Sequence, residues 1–493
     1  MAKAKAVVDA AKSKKQNGKT SGRTTSKKSQ DTMEGSTSFK TCANQPRIFT
    51  RIHNRNGRKS ILHFIYKCSL GQSFHSQMRQ CLQQPFLRSL ATYKLHRTTS
   101  LFNRRITCIE WHPNHTTSLA IGSKGGDIVL WDYNRVNKMS FIQGKGAGDF
   151  IGGIKFCPTD LAKIYTVSGD GSLAVQSFEG HQTTTLSRTS DCGHSHHTLC
   201  CWYCCVDVSV SRQMLVTGDN MGNVQLLAID GHKIFSEKLH KAKVTHAELN
   251  LRCDWLLATA SVDHTVKLWD LRNIKDKSSF LHNMPHDKAV NSAYFNPLDC
   301  SKLLTTDQYD QIRVYSSADW SSPQHIIQHP HRQFQHLTPI KATWHPMYDL
   351  IVAGRYPDDN VCTGDMRTID IYDANSAQLV CQLHDASAPG IISVNKFNPM
   401  GDVLGSGMGV NILMWTSDNM LGREQKDPEE QAGGDGGRFR GQPRTRLQRS
   451  TRDRRGAAED AKLKKKLASL ESPGAKTKSK PLENSKTQKG KKK

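Results

Sequence analysis

The chain has 493 residues, enough for a large buried core, with 36% hydrophobic residues and a formal charge of +25. No apolar run is long enough to cross a bilayer, and the opening stretch MAKAKAVVDAAKSKK lacks the apolar centre of a secretory signal, so membrane and exported classes are set aside and an intracellular protein is expected. The charge sits at the ends: residues 1–60 carry 15 Lys/Arg against 3 Asp/Glu and residues 421–493 carry 22 against 10, leaving 32 against 31 between them.

Residues 1–45 are rich in Lys, Ser, Gly and Thr with almost nothing to bury, which predicts a disordered basic arm. Residues 46–104 follow as a helical hairpin and a lead-in strand. Ser60 can cap a helix carrying Ile61, Leu62, Ile65 and Cys68 that stops near Gly71; Ser73 can cap a second carrying Phe74, Met78, Cys81 and Leu82 that ends before Pro85. Spacing alone leaves two uses open for this hairpin, a cap on the protein's own edge or an apolar face offered to a partner groove. The alternating TYKLHR that follows is placed as an outer strand closing the last repeat onto the first.

From residue 105 to 420 one pattern recurs: a β-rich run, a run of small and apolar residues, a tight turn with Asp or Gly, and a strand ending in an aromatic. WLLATASVDHTVKLWDLR, residues 255–272, is the clearest copy. Aligned on the last strand, the copies fall at Trp131, Gln176, Leu227, Trp269, Tyr315, Tyr372 and Trp415, at intervals of 45, 51, 42, 46, 57 and 43. Seven copies at that period predict an all-β fold, a seven-bladed β-propeller of four-stranded blades. The blades resemble WD40 repeats over about residues 105–416. His240, Ser261, Asp263 and Trp269 include the residue types of a hydrolase triad, but in such blades this set ties a turn to a strand. No G-x-S-x-G elbow and no phosphate loop is present, and no catalytic residue is assigned.

Two loop segments stand out. In HPHRQFQHLTP, residues 329–339, Phe334 is flanked by His329, His331, Arg332, Gln335 and His336, donors suited to phosphate or base edges around a ring able to stack or wedge. In DCGHSHHTLCCWYCC, residues 191–205, five Cys and three His fall in fifteen residues, and Cys201-x-x-Cys204 has zinc-ligand spacing. Its second half reads as a buried strand whose thiols pack as small apolar groups, so no metal or other cofactor is assigned. Fourteen scattered cysteines suit a reducing compartment, and KLKKK and KGKKK in the disordered basic tail of residues 421–493 point to the nucleus.

HPHRQFQHLTPIKATWHP, VTHAELN, SVDHTVKLWDLRNIK and GAGDFIGGIKF are similar to the small WD40 subunits of ultraviolet-damaged-DNA-binding complexes, over about residues 60–416. The resemblance implies a noncatalytic receptor in nucleotide excision repair. Phe334, Gln335 and His336 match a hairpin that enters the minor groove of damaged double-stranded DNA at a photolesion. Arg104, Lys124 and Lys243 match phosphate-contacting positions, with Arg332 a further candidate and Trp202 and Tyr203 lesion-facing aromatics. Trp269, Asp270 and Arg272 of WDLR, with the hairpin residues Ile61, Leu62, Ile65, Phe74, Met78 and Leu82, match the docking surface for the large three-propeller subunit of a cullin-RING ubiquitin ligase, which favours the partner use of the hairpin. Chromatin and histones are implied as neighbours. Two other readings stay open from the residues: a WD40 scaffold of ribosome assembly, and a histone-peptide reader using the ring's central opening.

Overall fold

The computed structural model describes residues 46–48, 61–71, 75–135, 139–180, 182–189, 200–332, 337–357 and 366–417. The chain divides into two units, residues 1–427 and 428–493, and the second lies outside the described residues, as do both basic ends and the capping Ser60 and Ser73.

Seven antiparallel sheets form the body, each with four strands except the sixth, which carries a fifth. Blade 1 spans residues 106–142, blade 2 151–188, blade 3 203–238, blade 4 244–285, blade 5 290–328 and blade 6 343–383. Blade 7 joins Ile392–Phe397, Val403–Met408 and Asn411–Ser417 to Tyr93–Ser100, which pairs from Tyr93 opposite Ser417 to Ser100 opposite Asn411. The expected closing strand is therefore the segment that begins with Tyr93. The extra strand of blade 6 is Arg47–Ile48, laid antiparallel on Gln382 and Cys381.

Register explains why the repeat survives the loss of its aromatic. Trp131, Gln176, Leu227, Trp269, Tyr315, Tyr372 and Trp415 pair in turn with Leu119, Ile164, Leu215, Leu257, Leu303, Ile351 and Leu404. All seven partners are fully buried aliphatics. In blade 4 the Trp269 indole donates to Thr259 Oγ1 at 2.8 Å, and in blade 2 Gln176 Nε2 donates to the equivalent Thr166 Oγ1 at the same 2.8 Å. Gln176 thus replaces the indole N–H as a donor although it lacks the ring.

The His240 set is structural, as expected. His240 lies 3.0 Å from Asp263 and 2.7 Å from Thr259 Oγ1, whereas the Ser261 hydroxyl donates to the Ala242 carbonyl. The imidazole is saturated by a carboxylate and a threonine and has no nucleophile to activate.

The two helices are α1 (Ile61–Ser69) and α2 (His75–Ser89). Gly71 follows α1 with φ +75, the left-handed conformation that favours glycine at a helix stop. The expected end of α2 before Pro85 is corrected: the helix runs through the proline to Ser89. A proline inside a helix costs about 3 kcal/mol, and burial of the next two residues offsets it. Phe86 stacks on Tyr348 with centroids 5.0 Å apart and packs on His345 at 4.6 Å, while Leu87 and Leu90 enter the core of blades 6 and 7. Arg79 adds an ion pair to Asp299 at 3.3 Å.

His345 under Phe86 donates from Nε2 to the Gly401 carbonyl and accepts the Met347 and Tyr348 N–H groups at Nδ1, a pattern only the neutral ring can make. Burial pushes it down to about 4, and burial with Arg313 nearby does the same to His286. Unfolded histidine binds its proton near pH 6.5, so the unfolded chain gains protons first as pH falls. Stability is expected to be full above about 6.5 and to drain away between there and about 4, with the Tm of thermal unfolding falling over that window and falling less in His345→Gln. A Tm that stays flat from pH 7 to pH 4.5 would contradict the neutral seat.

Candidate functional site

Strand order decides which loops share a face. Running inner to outer, the loops between second and third strands and those joining one blade to the next emerge on one face; the turns between first and second and between third and fourth strands emerge on the other. By this rule Arg104, Lys124, Trp202, Lys243 and Arg332, drawn from widely separated parts of the chain, all sit on the first face. Arg272 and the seat of α2 at Asp299, His345 and Tyr348 sit on the second.

On the first face the side chains converge at the mouth of a central channel of about 730 Å3. Arg105, Lys124, Phe150, Trp202, Lys243, Gln308, Leu337, Pro339 and Lys341 line it there. The Lys124 ammonium lies 4.4 Å from the centre of the Phe150 ring, and Phe150 meets Trp202 edge to face at 6.3 Å. Lys124 N–H donates to the Arg105 carbonyl at 2.8 Å, which fixes the two cations side by side. Burial, then Arg105 and Lys243, lower the Lys124 pKa. The turn needs its glycines: Gly126 has φ +87, and a Cβ there would stand 2.3 Å from Asp149. Arg104 is exposed and rests against Gly125.

The loop holding Phe334 is described up to Arg332 and from Leu337; Phe334, Gln335 and His336 lie outside the described residues. Its two stems are pinned. On one side His331 Nε2 lies 3.1 Å from Asp307, His329 N–H donates to the Asp310 carbonyl, and Tyr356 N–H donates to the Pro330 carbonyl at 2.9 Å. On the other, Thr338 Oγ1 donates to the Ile106 carbonyl at 2.8 Å and Ile340 is buried. The expectation that His329 and His331 offer donors to a ligand is corrected: both are buried, and their polar atoms face Asp307, Asp370 and each other. Arg332 is exposed.

Tyr203 is also corrected. It is wholly buried between blades 2 and 3, its hydroxyl held by Ser187 and Gln225 at 2.9 Å each, so it faces the core and cannot meet a ligand. Trp202, one residue earlier, keeps its place at the mouth, because strand alternation sends neighbours to opposite sides. Residues 191–199 of the Cys/His-rich segment lie outside the described residues. Burial pushes the Cys204 thiol up to about 11, away from the thiolate that a metal requires.

On the second face, Trp269 and Asp270 are buried, which corrects their reading as surfaces a partner could touch. Only Arg272 of that trio is exposed. Its Nε and Nη2 are taken by Asp270 at 2.9 and 2.8 Å and its plane lies 4.2 Å over the Trp255 ring, so one edge of the fork is already used within the chain. In the hairpin, Leu62, Ile65 and Leu82 are 71, 56 and 44% exposed, and Tyr66 and Leu70 join them. Phe74 and the side chains of Ile61 and Met78 lie outside the described residues.

Sequence reasoning missed the channel's other end. Glu110, Lys155, Asp207, Glu248, Tyr294 and Lys396 each hold the fifth place of an inner strand. Lys155 binds Asp207 at 2.9 Å, Lys396 binds Glu110, and Glu248 accepts the Phe295 N–H at 2.6 Å. Burial alone would lower the Lys155 ammonium, but Asp207, Glu110 and Glu248 hold it above the usual lysine range. Burial, then Asp207, push the Glu248 carboxyl above the usual carboxylate range. The signal was available as a polar residue recurring at one strand position. Arg105 and Lys341 were missed as lining residues because adjacency in sequence does not reveal which strand end faces the axis.

Seven four-stranded blades, and a match of residues 88–132 and 231–270 to the model described as WD domain, G-beta repeat, define the chain as a WD40 β-propeller. It is 62% identical to DNA damage-binding protein 2 of Danio rerio over 84% of this chain and 83% of that one. It is 60% identical to the protein of the same name from Gallus gallus, over 76% and 74%, and 48% identical to that from Bos taurus, over 73% and 83%. The chain belongs to the DNA damage-binding protein 2 family.

If the stems hold the loop, His331→Ala should loosen it locally by about 2 kcal/mol, read as roughly 30-fold faster tryptic cleavage at Arg332 under native conditions. An unchanged cleavage rate would mean that something other than the buried histidine pair holds this loop.

Proposed function

We propose that this chain is a noncatalytic sensor of damaged duplex DNA, acting in the nucleus in nucleotide excision repair. The single observation that supports the reading most is the convergence of Arg104, Lys124, Lys243 and Trp202 with the pinned stems of the Phe334 loop on one face. The name shared by the relatives points the same way. In this reading Phe334, Gln335 and His336 form a wedge that enters the minor groove. The wedge must offset a few kcal/mol of unstacking, a penalty smallest where a photolesion has already weakened pairing. Selectivity then comes from deformability, with Arg104, Lys124, Lys243 and Arg332 holding phosphates and Trp202 lining the mouth.

The second face is proposed as the dock for the large three-propeller subunit of a cullin-RING ubiquitin ligase. Leu62, Ile65 and Leu82 offer apolar anchors, and Arg272, held by Asp270 and Trp255, presents its remaining edge to an acceptor. In this reading the two faces, opposite ends of the same blades, hold duplex and ligase at once, and neighbouring chromatin proteins are the expected targets of ubiquitination.

Affinity for a duplex carrying one photoproduct and for its intact twin, at two salt concentrations, tests the reading. Phe334→Ala is expected to lose about 5- to 150-fold of the preference, the range of one aromatic–base stack, with its salt slope unchanged. Lys243→Glu is expected to weaken both duplexes and to lower the slope by about 0.9 or more. Equal loss on both duplexes from Phe334→Ala would rule out the wedge.

A further inference from the structure

The proposed wedge, phosphate contacts and dock make no use of Lys341. It stands three residues before Trp344, as Cys108 stands three before Trp111, and so takes the third place of the inner strand of blade 6. The third places of the other inner strands are Cys108, Gly153, Cys205, His246, Ser292 and Val394, none of them a carboxylate. The backbone is pinned on both sides of the lysine: Asn291 Nδ2 donates to the Ile340 carbonyl at 3.1 Å, and Ala342 N–H donates to Thr306 Oγ1 at 3.0 Å. The side chain is half-buried and lines the channel of about 730 Å3, so a small solute can reach it.

The groups facing the amine leave it without a counter-ion. Lys341 Nζ lies a long 3.5 Å from the Thr245 carbonyl, and among the described residues it forms no ion pair. Burial pushes the Cys108, Cys204 and Cys205 thiols up to about 12, 11 and 12, so they stay protonated at neutral pH. Burial likewise pushes the His246 imidazole well below its ordinary value, so it stays neutral. Two places further along the strands, Glu110 is taken by Lys396, Asp207 by Lys155 and Glu248 by the Phe295 N–H. Cations remain: Lys243 beside the amine, with Arg105 and Lys124 further out along the channel. Burial, with Lys243 adding to it, lowers the Lys341 pKa. A desolvated lysine next to a second cation is the arrangement that yields a neutral, nucleophilic amine near neutral pH.

We propose that Lys341 is a carbonyl-capturing amine that takes up small free aldehydes inside the channel. Its lone pair attacks the carbonyl carbon, forming the C–N bond while the C=O π pair moves to oxygen, which takes the proton that nitrogen gives up. Loss of that hydroxyl with the second nitrogen proton, as water, leaves the imine. No oxidant or reductant is consumed, and neither DNA nor the wedge takes part, so the site is independent of the damage-sensing reading.

The test treats the full chain with propanal and sodium cyanoborohydride, which fixes each imine as a propyl amine, and reads the rate at each lysine by peptide mass spectrometry. Lys233, on an exposed outer strand, reports an ordinary lysine. At pH 7 Lys341 is expected to label at least about tenfold faster than Lys233, since each unit taken off a lysine's pKa raises its neutral fraction about tenfold. The excess should shrink several-fold by about pH 9, as Lys341 saturates while Lys233 is still gaining neutral amine. Lys243→Glu places a carboxylate beside the amine and should slow labelling of Lys341 at pH 7 by about threefold or more, with Lys233 unchanged. Any one of three results overturns the proposal: labelling at Lys341 no faster than at Lys233 at pH 7, an excess just as large at pH 9, or a Lys341 rate indifferent to Lys243→Glu.

Discussion

Ring closure is the constraint on which the rest depends. Tyr93–Ser100 comes from ahead of the first blade and pairs along Asn411–Ser417, so the last blade joins a segment that precedes blade 1 to the last described strand. Without that strand, blade 7 would expose a ladder of unpaired backbone groups and the ring could open. With it, each inner strand is held by its neighbours, and side chains far apart in sequence are brought to one axis. Arg105 and Lys341, 236 positions apart, meet at one channel mouth for this reason. The closing strand also leads directly out of α2, so the same pairing that seals the ring seats the hairpin through Phe86, Leu87 and Leu90.

A rigid frame changes what a loop can do. The Phe334 loop leaves blade 5 through a buried histidine pair and enters blade 6 through Thr338 and Ile340, so only a short stretch lies between two fixed points. Fixed stems of this kind leave less chain to order when a loop between them engages a partner. On the opposite face the Arg272 guanidinium is likewise held in place, by Asp270 and Trp255. The two faces differ in kind: one gathers cations and aromatics around a recess, the other presents aliphatic side chains of α1 and α2.

Much of this was legible in the order of residues. Last strands recurring at intervals of 42 to 57, five of the seven with an aromatic at the aligned position, are enough to count the blades, because the period survives where the ring is lost. Ser60, Gly71 and the apolar spacing between them were enough to place α1. The reach of α2 past Pro85 was not legible, since the local penalty is visible in sequence while the burial of Phe86 that outweighs it is a long-range contact. Tyr203 was misread for a related reason: one step along a strand reverses direction, and nothing local says which of two adjacent aromatics faces the axis.

The sequence by itself determined the repeat, the fold class and the residue types available for recognition, because period and alternation are properties of a chain read one residue at a time. Tertiary structure alone decided which of those residues cooperate. His329 and His331 look like donors in the string but turn inward to Asp370 and Asp307, whereas Lys341 looks like an ordinary lysine but lines the channel with Arg105, Lys124 and Lys243. Burial and electrostatic neighbourhood are set by which strands curl around a common axis, and that depends on contacts hundreds of residues apart.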